Sequence, residues 1–456
     1  MSEAAQDKPV VVVGAGFSGT LLAINLVRQG ARVVLVERDG GHFAKGVAYG
    51  TRQVGHLLNV RASNMSAFPE DPDHFLRWLG CDSGPERGEK ASRFVPRPTY
   101  GHYLHEQLMA ALSASPELLT IRQGEARDAE RSADGITLHM ADGELLEARA
   151  LVMASGNFPP AMLRVLADLP APLLQADPWA PDALEGLGPD AHVLLVGAGL
   201  TAVDMAISLD RAGFAGRITA LSRRGLLPRA HALEGPAVKP VERPAERGAA
   251  LLHRLRERAR QVDWREAVDE LRPHTQALWR LHDREQQARL LRHLRPWWDV
   301  HRHRLAPPVA ERVAQMRGEG RLSVVAGRIL SVEHQGDQAQ LVWRPRGQDE
   351  PRAMAVDRIL LCTGPESDIA LCGDPLLDRL AARGLIRSDR HRLGLDVDHA
   401  GRLLDADGAA DDRLLAVGPL TRGAFWESVA VPDIRRQVWT TARMMTQSHW
   451  VGGEGL

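Results

Sequence analysis

The chain of 456 residues has little cysteine: Cys81, Cys362 and Cys372, far apart in sequence and with no CxxC or CxxxxC pair. So few and so scattered a set of thiols argues against a disulfide framework. It also argues against a redox-active dithiol, which needs two sulfurs within bonding reach. Charge imbalance is missing too. The net charge is −1, so no global field recruits nucleic acid or an anionic membrane. No apolar run is long enough to span a bilayer and no signal-peptide pattern opens the chain, so a cytoplasmic location is expected. There is no GxSxG elbow, which leaves a serine-hydrolase reading without its motif.

The remaining composition is that of a soluble globular protein, with 44% hydrophobic and 25% charged residues. The length exceeds what one core usually covers, and two domains are expected.

Two copies of one local grammar stand out. Pro9 to Val13 reads as a strand, Gly14 to Gly19 as a turn, Thr20 to Gln29 as a helix and Arg32 to Glu37 as the next strand. His192 to Val196, Gly197 to Ala202, Val203 to Ala212 and Arg217 to Ser222 repeat it. In the first copy Gly14-Ala15-Gly16-Phe17-Ser18-Gly19 is a GxGxxG fingerprint. Its glycines permit the tight turn (Gly14), the approach of backbone to a pyrophosphate (Gly16) and close helix–strand packing (Gly19). The helix N-terminus then offers unpaired N–H groups to the phosphates. Glu37, 23 residues beyond Gly14, is placed to accept hydrogen bonds from an adenosine ribose. That acid suits FAD or NAD equally.

The second copy is GxGxxA: Gly197, Gly199, then Leu200, Thr201 and Ala202. Its second strand ends in Ser222-Arg223-Arg224 instead of an acid. Arginine binds phosphate as a bidentate fork and serine adds one more donor, so the 2′-phosphate of NADPH is the expected ligand.

Three further apolar strands end in glycine: Ala150–Ser155 before Gly156, Arg358–Thr363 before Gly364 and Asp412–Val417 before Gly418. Pairing of these three in space would insert the second cradle's domain within the first. The expected architecture is α/β, with two Rossmann-type domains. The first domain would cover 1–160 and 325–456, the second 161–241 and 319–324. Residues 242–318, rich in Arg, Leu, Ala and Glu and punctuated by Pro273, Pro296 and Pro307-Pro308, read as a helical insertion that lines a substrate.

With these motifs the chain resembles the two-dinucleotide-binding flavoproteins. Gly46-Val-Ala-Tyr-Gly50, His56-Leu-Leu-Asn-Val60 and Asn64-Met-Ser-Ala-Phe68 look like the bacterial FAD–NAD(P)-binding family. Met65 to Phe68 with Asp73 to Leu79, and Phe94 to Arg97 with Tyr100 to Leu104, are similar to the N-hydroxylating flavin monooxygenases, the nitrosuccinate-forming aspartate N-monooxygenases included. The resemblance implies FAD on the first cradle, with Arg38, Asn59, Met65, Ser66, Ser155, Gly156, Gly364, Gly418 and Trp426 around it. It also implies the reaction. NADPH reduces FAD, reduced flavin and O2 give a C4a-hydroperoxide, and the distal oxygen passes to the amine of a small amino acid. The flavin would carry the chemistry, and no catalytic side chain is expected. A flavin reductase passing electrons to a protein or quinone is the alternative.

Some family features are missing. No FxGxxxHxxxW signature is present, which argues against ketone oxygenation. Val417-Gly418-Pro419 stands where Gly-Asp is usual, and Pro69-Glu70 where the ornithine and lysine hydroxylases carry a lysine. A substrate carboxylate therefore needs another anchor. Arginine forks are the natural choice, and Arg61, Arg302, Arg304 and Arg422 are the candidates. His301 and His303 have HxH spacing but no evident third ligand, so no metal is expected. The oligomeric state stays open, a homodimer included.

Overall fold

The computed structural model describes residues 7–81, 87–234 and 241–447. The chain divides into two compact units: 1–52, 61–158 and 367–456 form the first, 53–60 and 159–366 the second. Among the described residues no helix is long and apolar enough to cross a membrane.

The first unit is built on a six-stranded sheet. Val10–Val13 lies at its middle, parallel to Val33–Glu37 on one side and to Ala150–Met153 on the other. Leu119–Gln123 continues the sheet beyond Val33–Glu37, and Ala410–Ala416 continues it beyond Ala150–Met153. Arg402–Leu404 closes that edge antiparallel. Val10, Val11 and Val12 are fully buried, as the β-branched run requires for a strand covered on both faces. The helix Phe17–Arg28 starts inside the glycine fingerprint, with Gly16 as its N-cap, three residues earlier than periodicity suggests. It is buried all round from Phe17 to Val27, because the C-terminal helix Val431–Met445 packs on it from outside. A small antiparallel sheet, Ala126–Ser132, Gly135–Met140 and Leu145–Ala148, completes the unit.

The second unit repeats the plan. His192–Val196 lies between Arg217–Ser222 and Arg358–Leu361, all parallel. Leu322–Gln335 pairs beyond Arg217–Ser222 and turns into an antiparallel ladder with Gln338–Pro345 and Arg352–Val356. Leu174–Gln175 forms the other edge. The helix Leu200–Arg211, N-capped by Gly199, follows the second fingerprint.

Two boundaries differ from expectation. Residues 325–366 were expected in the first domain. They belong to the second unit, because Arg358–Leu361 pairs with His192–Val196 and not with the first cradle's sheet. Residues 53–60 also lie in the second unit, where His56 is 2.7 Å from Ser208 Oγ.

The insertion is helical: Gly248–Gln261, Trp264–Leu271, Thr275–Leu281, Arg284–Arg289, Arg295–Arg302 and Pro307–Gly318. Pro296 and Pro307-Pro308 sit in first turns, where a missing N–H costs nothing. A π-turn, Leu290–Leu294, joins two of the helices.

Candidate functional site: two dinucleotide cradles

In each unit the fingerprint lies at the carboxyl end of a strand whose neighbours continue in opposite directions across the sheet. Ligands of open α/β sheets bind at this switch point. The glycines are held there by contact. A Cβ on Gly14 would lie 2.5 Å from the Ala154 carbonyl oxygen, and one on Gly19 1.8 Å from the Gly14 oxygen. A Cβ on Gly197 would lie 2.1 Å from the Cys362 oxygen. Gly14 and Gly197 also have φ of +103° and +128°, a region that side chains rarely adopt.

The two cradles match strand by strand. Met153 pairs with Val13 and Leu361 with Val196, so Ala154-Ser155-Gly156 and Cys362-Thr363-Gly364 leave their strands at equivalent places. Gly156 and Gly364 both turn at positive φ, +74° and +81°. Gly364 thus borders the second cradle, not the flavin-side one where it was expected.

Around the first cradle, Glu37 accepts from the Ala15 N–H (2.8 Å) and the Asp39 N–H (3.1 Å). A carboxylate has lone pairs left for ribose hydroxyls. Arg38 is exposed beside it, near the Asp374 carboxyl, whose pKa burial holds above the usual carboxylate value. Phe17 and Ser18 are buried. Gly418 has φ +75°, and a Cβ there would come within 2.3 Å of Ser18 Oγ. Its N–H donates to Gln437 Oε1 (2.9 Å), which also accepts from Ser428 Oγ, while Gln437 Nε2 donates to Thr421 Oγ1. Gln437 therefore shapes the turn where the Gly-Asp pair is missing. Trp426 is half-buried, just before Glu427 at φ +72°.

Three expectations for this region change. Met65 is buried in the interior. The Ser66 hydroxyl is spent locally, donating to the Asp71 carbonyl (2.6 Å) and accepting from the Phe68 N–H (3.1 Å). Asn59 lies in the second unit, where His231 Nε2 donates to its carbonyl (3.0 Å).

At the second cradle Gly199 is exposed and Leu200 and Thr201 are half-buried. Ser222 Oγ accepts from the Gly225 N–H (3.0 Å), a turn that presents Arg223 and Arg224. Arg223 is exposed. Arg224 Nη2 donates to the Arg292 carbonyl in the π-turn (3.3 Å).

The four arginines expected at a substrate divide between the two units. Arg61 and Arg422 are in the first unit, Arg302 and Arg304 in the second. Arg61 donates to the Ser92 carbonyl (2.8 Å) and lies over the Phe94 ring. Arg302 is buried. Arg304, 2% exposed, forks onto Asp269 (2.9 and 3.0 Å) and donates to the His301 and Arg265 carbonyls. Four of its five donors are consumed inside the insertion, so its expected role toward substrate gives way to a structural one. His301 lies 2.7 Å from the Trp297 carbonyl through Nδ1 and sits edge-on to Trp264.

Comparison with known proteins agrees with this geometry. Residues 11–158 match the FAD-NAD(P)-binding family. This segment contains the first cradle, which is thus a FAD/NAD(P)-binding site by sequence and by shape. Protein FixC of Salmonella typhi is 28% identical over 159 residues, 32% of this chain and 36% of FixC, so the match spans about a third of that relative. L-lysine 6-monooxygenase from Pseudomonas syringae has the same fold (TM-score 0.66, 14% identity, 96% of this chain and 99% of that one). Ornithine hydroxylase (PvdA) from Pseudomonas aeruginosa is similar (TM-score 0.64, 17% identity, 96% and 99%). So is Lactococcus lactis thioredoxin reductase (TM-score 0.53, 13% identity, 97% and 100%). The shared fold is a pair of Rossmann-type α/β domains.

Proposed function

We propose that the chain is a FAD-dependent, NADPH-using monooxygenase that N-hydroxylates a small amino acid or amine, an L-aspartate-like substrate being favoured. The observation that carries this reading is the pair of matched cradles, one followed by an acid and the other by Ser222-Arg223-Arg224. When bound, the two nucleotides supply hydride transfer and the activation of O2. The residues of the chain bind and orient them. The helix N-termini at Gly16 and Gly199 would hold the pyrophosphates. Glu37 would accept from the ribose of FAD, and Arg223 and Arg224 would fork onto the 2′-phosphate of NADPH. Arg61, Arg302 and Arg422 remain the candidate clamps for a substrate carboxylate.

Likeness in fold to the lysine and ornithine hydroxylases supports this reading, as does an insertion larger than a nucleotide domain needs. A second reading is an NADPH-dependent reductase that hands electrons to a protein or quinone acceptor, because a thioredoxin reductase shares the fold. The absence of a cysteine pair in sequence weighs against dithiol chemistry but not against other acceptors. Oxygen uptake and NADPH oxidation with a panel of amines separate the two. A hydroxylated amine formed in step with NADPH supports the monooxygenase, while turnover indifferent to amines but accelerated by a quinone supports the reductase.

A further inference from the structure

The three tyrosines of the chain, Tyr49, Tyr100 and Tyr103, meet in one aromatic cluster beside the first cradle. Tyr49 and Tyr100 are 4.8 Å apart by ring centroid, and Tyr100 and Tyr103 5.6 Å. Phe17, the first helical residue after Gly16, touches both Tyr49 (5.9 Å) and Tyr100 (6.2 Å). Two glycines bring the cluster against the phosphate turn. Gly46 Cα lies 3.5 Å from where a Gly16 Cβ would stand, and a Cβ on Gly101 would come within 2.5 Å of the Tyr49 carbonyl oxygen.

Two of the phenols differ sharply. Tyr103 is satisfied: its hydroxyl accepts the Ala67 N–H (3.2 Å) and lies 2.9 Å from His74 Nδ1. Burial pushes its pKa up to about 12. Tyr100 is fully buried, and its hydroxyl has no hydrogen-bond partner among the described residues. Such a group costs the fold stability unless something else receives its proton. Arg435 stands in electrostatic reach of Tyr100. It donates through Nη1 to the Ser66 carbonyl (2.7 Å) and the Asn64 carbonyl (3.4 Å), and Asp433 is the carboxylate in its own electrostatic reach. A buried O–H without an acceptor, with a guanidinium in its electrostatic reach whose hydrogen bonds go to backbone carbonyls, fits an anionic oxygen as its partner.

We propose that Tyr100 and Arg435 together anchor an anionic oxygen of the dinucleotide bound in the first cradle. This rests on the reading that FAD occupies that cradle. The oxygen belongs either to the pyrophosphate or to the pyrimidine edge of the flavin, which gains negative charge on reduction.

The test uses the full chain stripped of flavin and titrated with FAD, with Tyr100→Phe and Tyr103→Phe compared. Removing an unsatisfied buried hydroxyl leaves the melting temperature of the stripped Tyr100→Phe protein equal to or above wild type, while its FAD dissociation constant rises about ten- to a hundredfold. Tyr103→Phe does the reverse: it lowers the melting temperature and leaves FAD affinity within about threefold. If Tyr100→Phe weakens ADP as much as FAD, the anchored oxygen is on the pyrophosphate. If it spares ADP and lowers the flavin midpoint potential, the oxygen is on the flavin. Unchanged FAD affinity in Tyr100→Phe, or a melting temperature that falls as in Tyr103→Phe, overturns the proposal. Wild-type protein that takes up no FAD overturns instead the reading on which the proposal stands.

Discussion

Gly197 stands against the backbone carbonyl of Cys362, where an added Cβ would lie 2.1 Å from the oxygen. Gly14 stands in the same relation to Ala154 in the other unit. Each fingerprint is therefore locked to the strand that neighbours its own, Ala150–Met153 or Arg358–Leu361, so the two cradles can be disrupted separately.

Gly197→Ala places a methyl group in that contact at a φ of +128°. Overpacking and strain together cost about 2–5 kcal/mol locally. Titration should show NADPH binding lost while FAD is retained. Gly14→Ala should do the opposite.

The proposed function assigns to the Ser222–Arg224 turn the choice between the two nicotinamide nucleotides. Replacing Arg223 and Arg224 by alanine removes the fork for the 2′-phosphate. The ratio of kcat/KM for NADPH over NADH should fall about ten- to a hundredfold, at roughly 1.4 kcal/mol per factor of ten. An unchanged ratio would show that the 2′-phosphate lies elsewhere.

Arg304 tests the structural role assigned to it. Removing one partner of a buried ion pair costs about 3–5 kcal/mol, so Arg304→Ala should lower the melting temperature, and Asp269→Ala should do likewise. A substrate KM that rises in Arg304→Ala without a loss of stability would restore it to the substrate site.

Asp210 ends the second cradle's helix and accepts from Arg312 (2.7 and 2.6 Å) and Arg321 (2.8 Å). Those hydrogen bonds, Arg312 foremost, hold its pKa below the usual aspartate value. A depressed folded pKa means that the contribution is complete above the unfolded value near 4 and is lost as pH falls through the folded one. Asp210→Asn should therefore be less stable than wild type at pH 7, by about 1.5–3 kcal/mol. The difference should shrink below about pH 4, as thermal melts from pH 7 to pH 2.5 would show.

Much of this was legible in the sequence. Strand, glycine turn and helix follow one another so closely at Gly14 and Gly197 that local chemistry alone marks both cradles. The domain boundary was not. Ala150–Met153 and Arg358–Leu361 look alike, each an apolar run ending near a small hydroxylated residue and glycine, because each neighbours the strand that leads into its own cradle. Which sheet a strand joins is a tertiary matter that its own residues do not encode. Arg304 misled for a similar reason, since an arginine beside aromatics reads the same whether it faces substrate or Asp269. Tyr100 stood in the sequence only as the start of the Tyr100 to Leu104 segment, and nothing there marked its hydroxyl, because a tyrosine at helical spacing reads as core and only its missing partner sets it apart.

The central claim is most directly tested by following NADPH oxidation, O2 uptake, peroxide and hydroxylated product together in the FAD-loaded protein, with and without L-aspartate and other small amines. The account predicts that one amine accelerates NADPH oxidation and is converted to its N-hroxylated form, with peroxide falling as product rises. NADPH oxidation unaffected by every amine, with its electrons recovered in a quinone or protein acceptor, would contradict it.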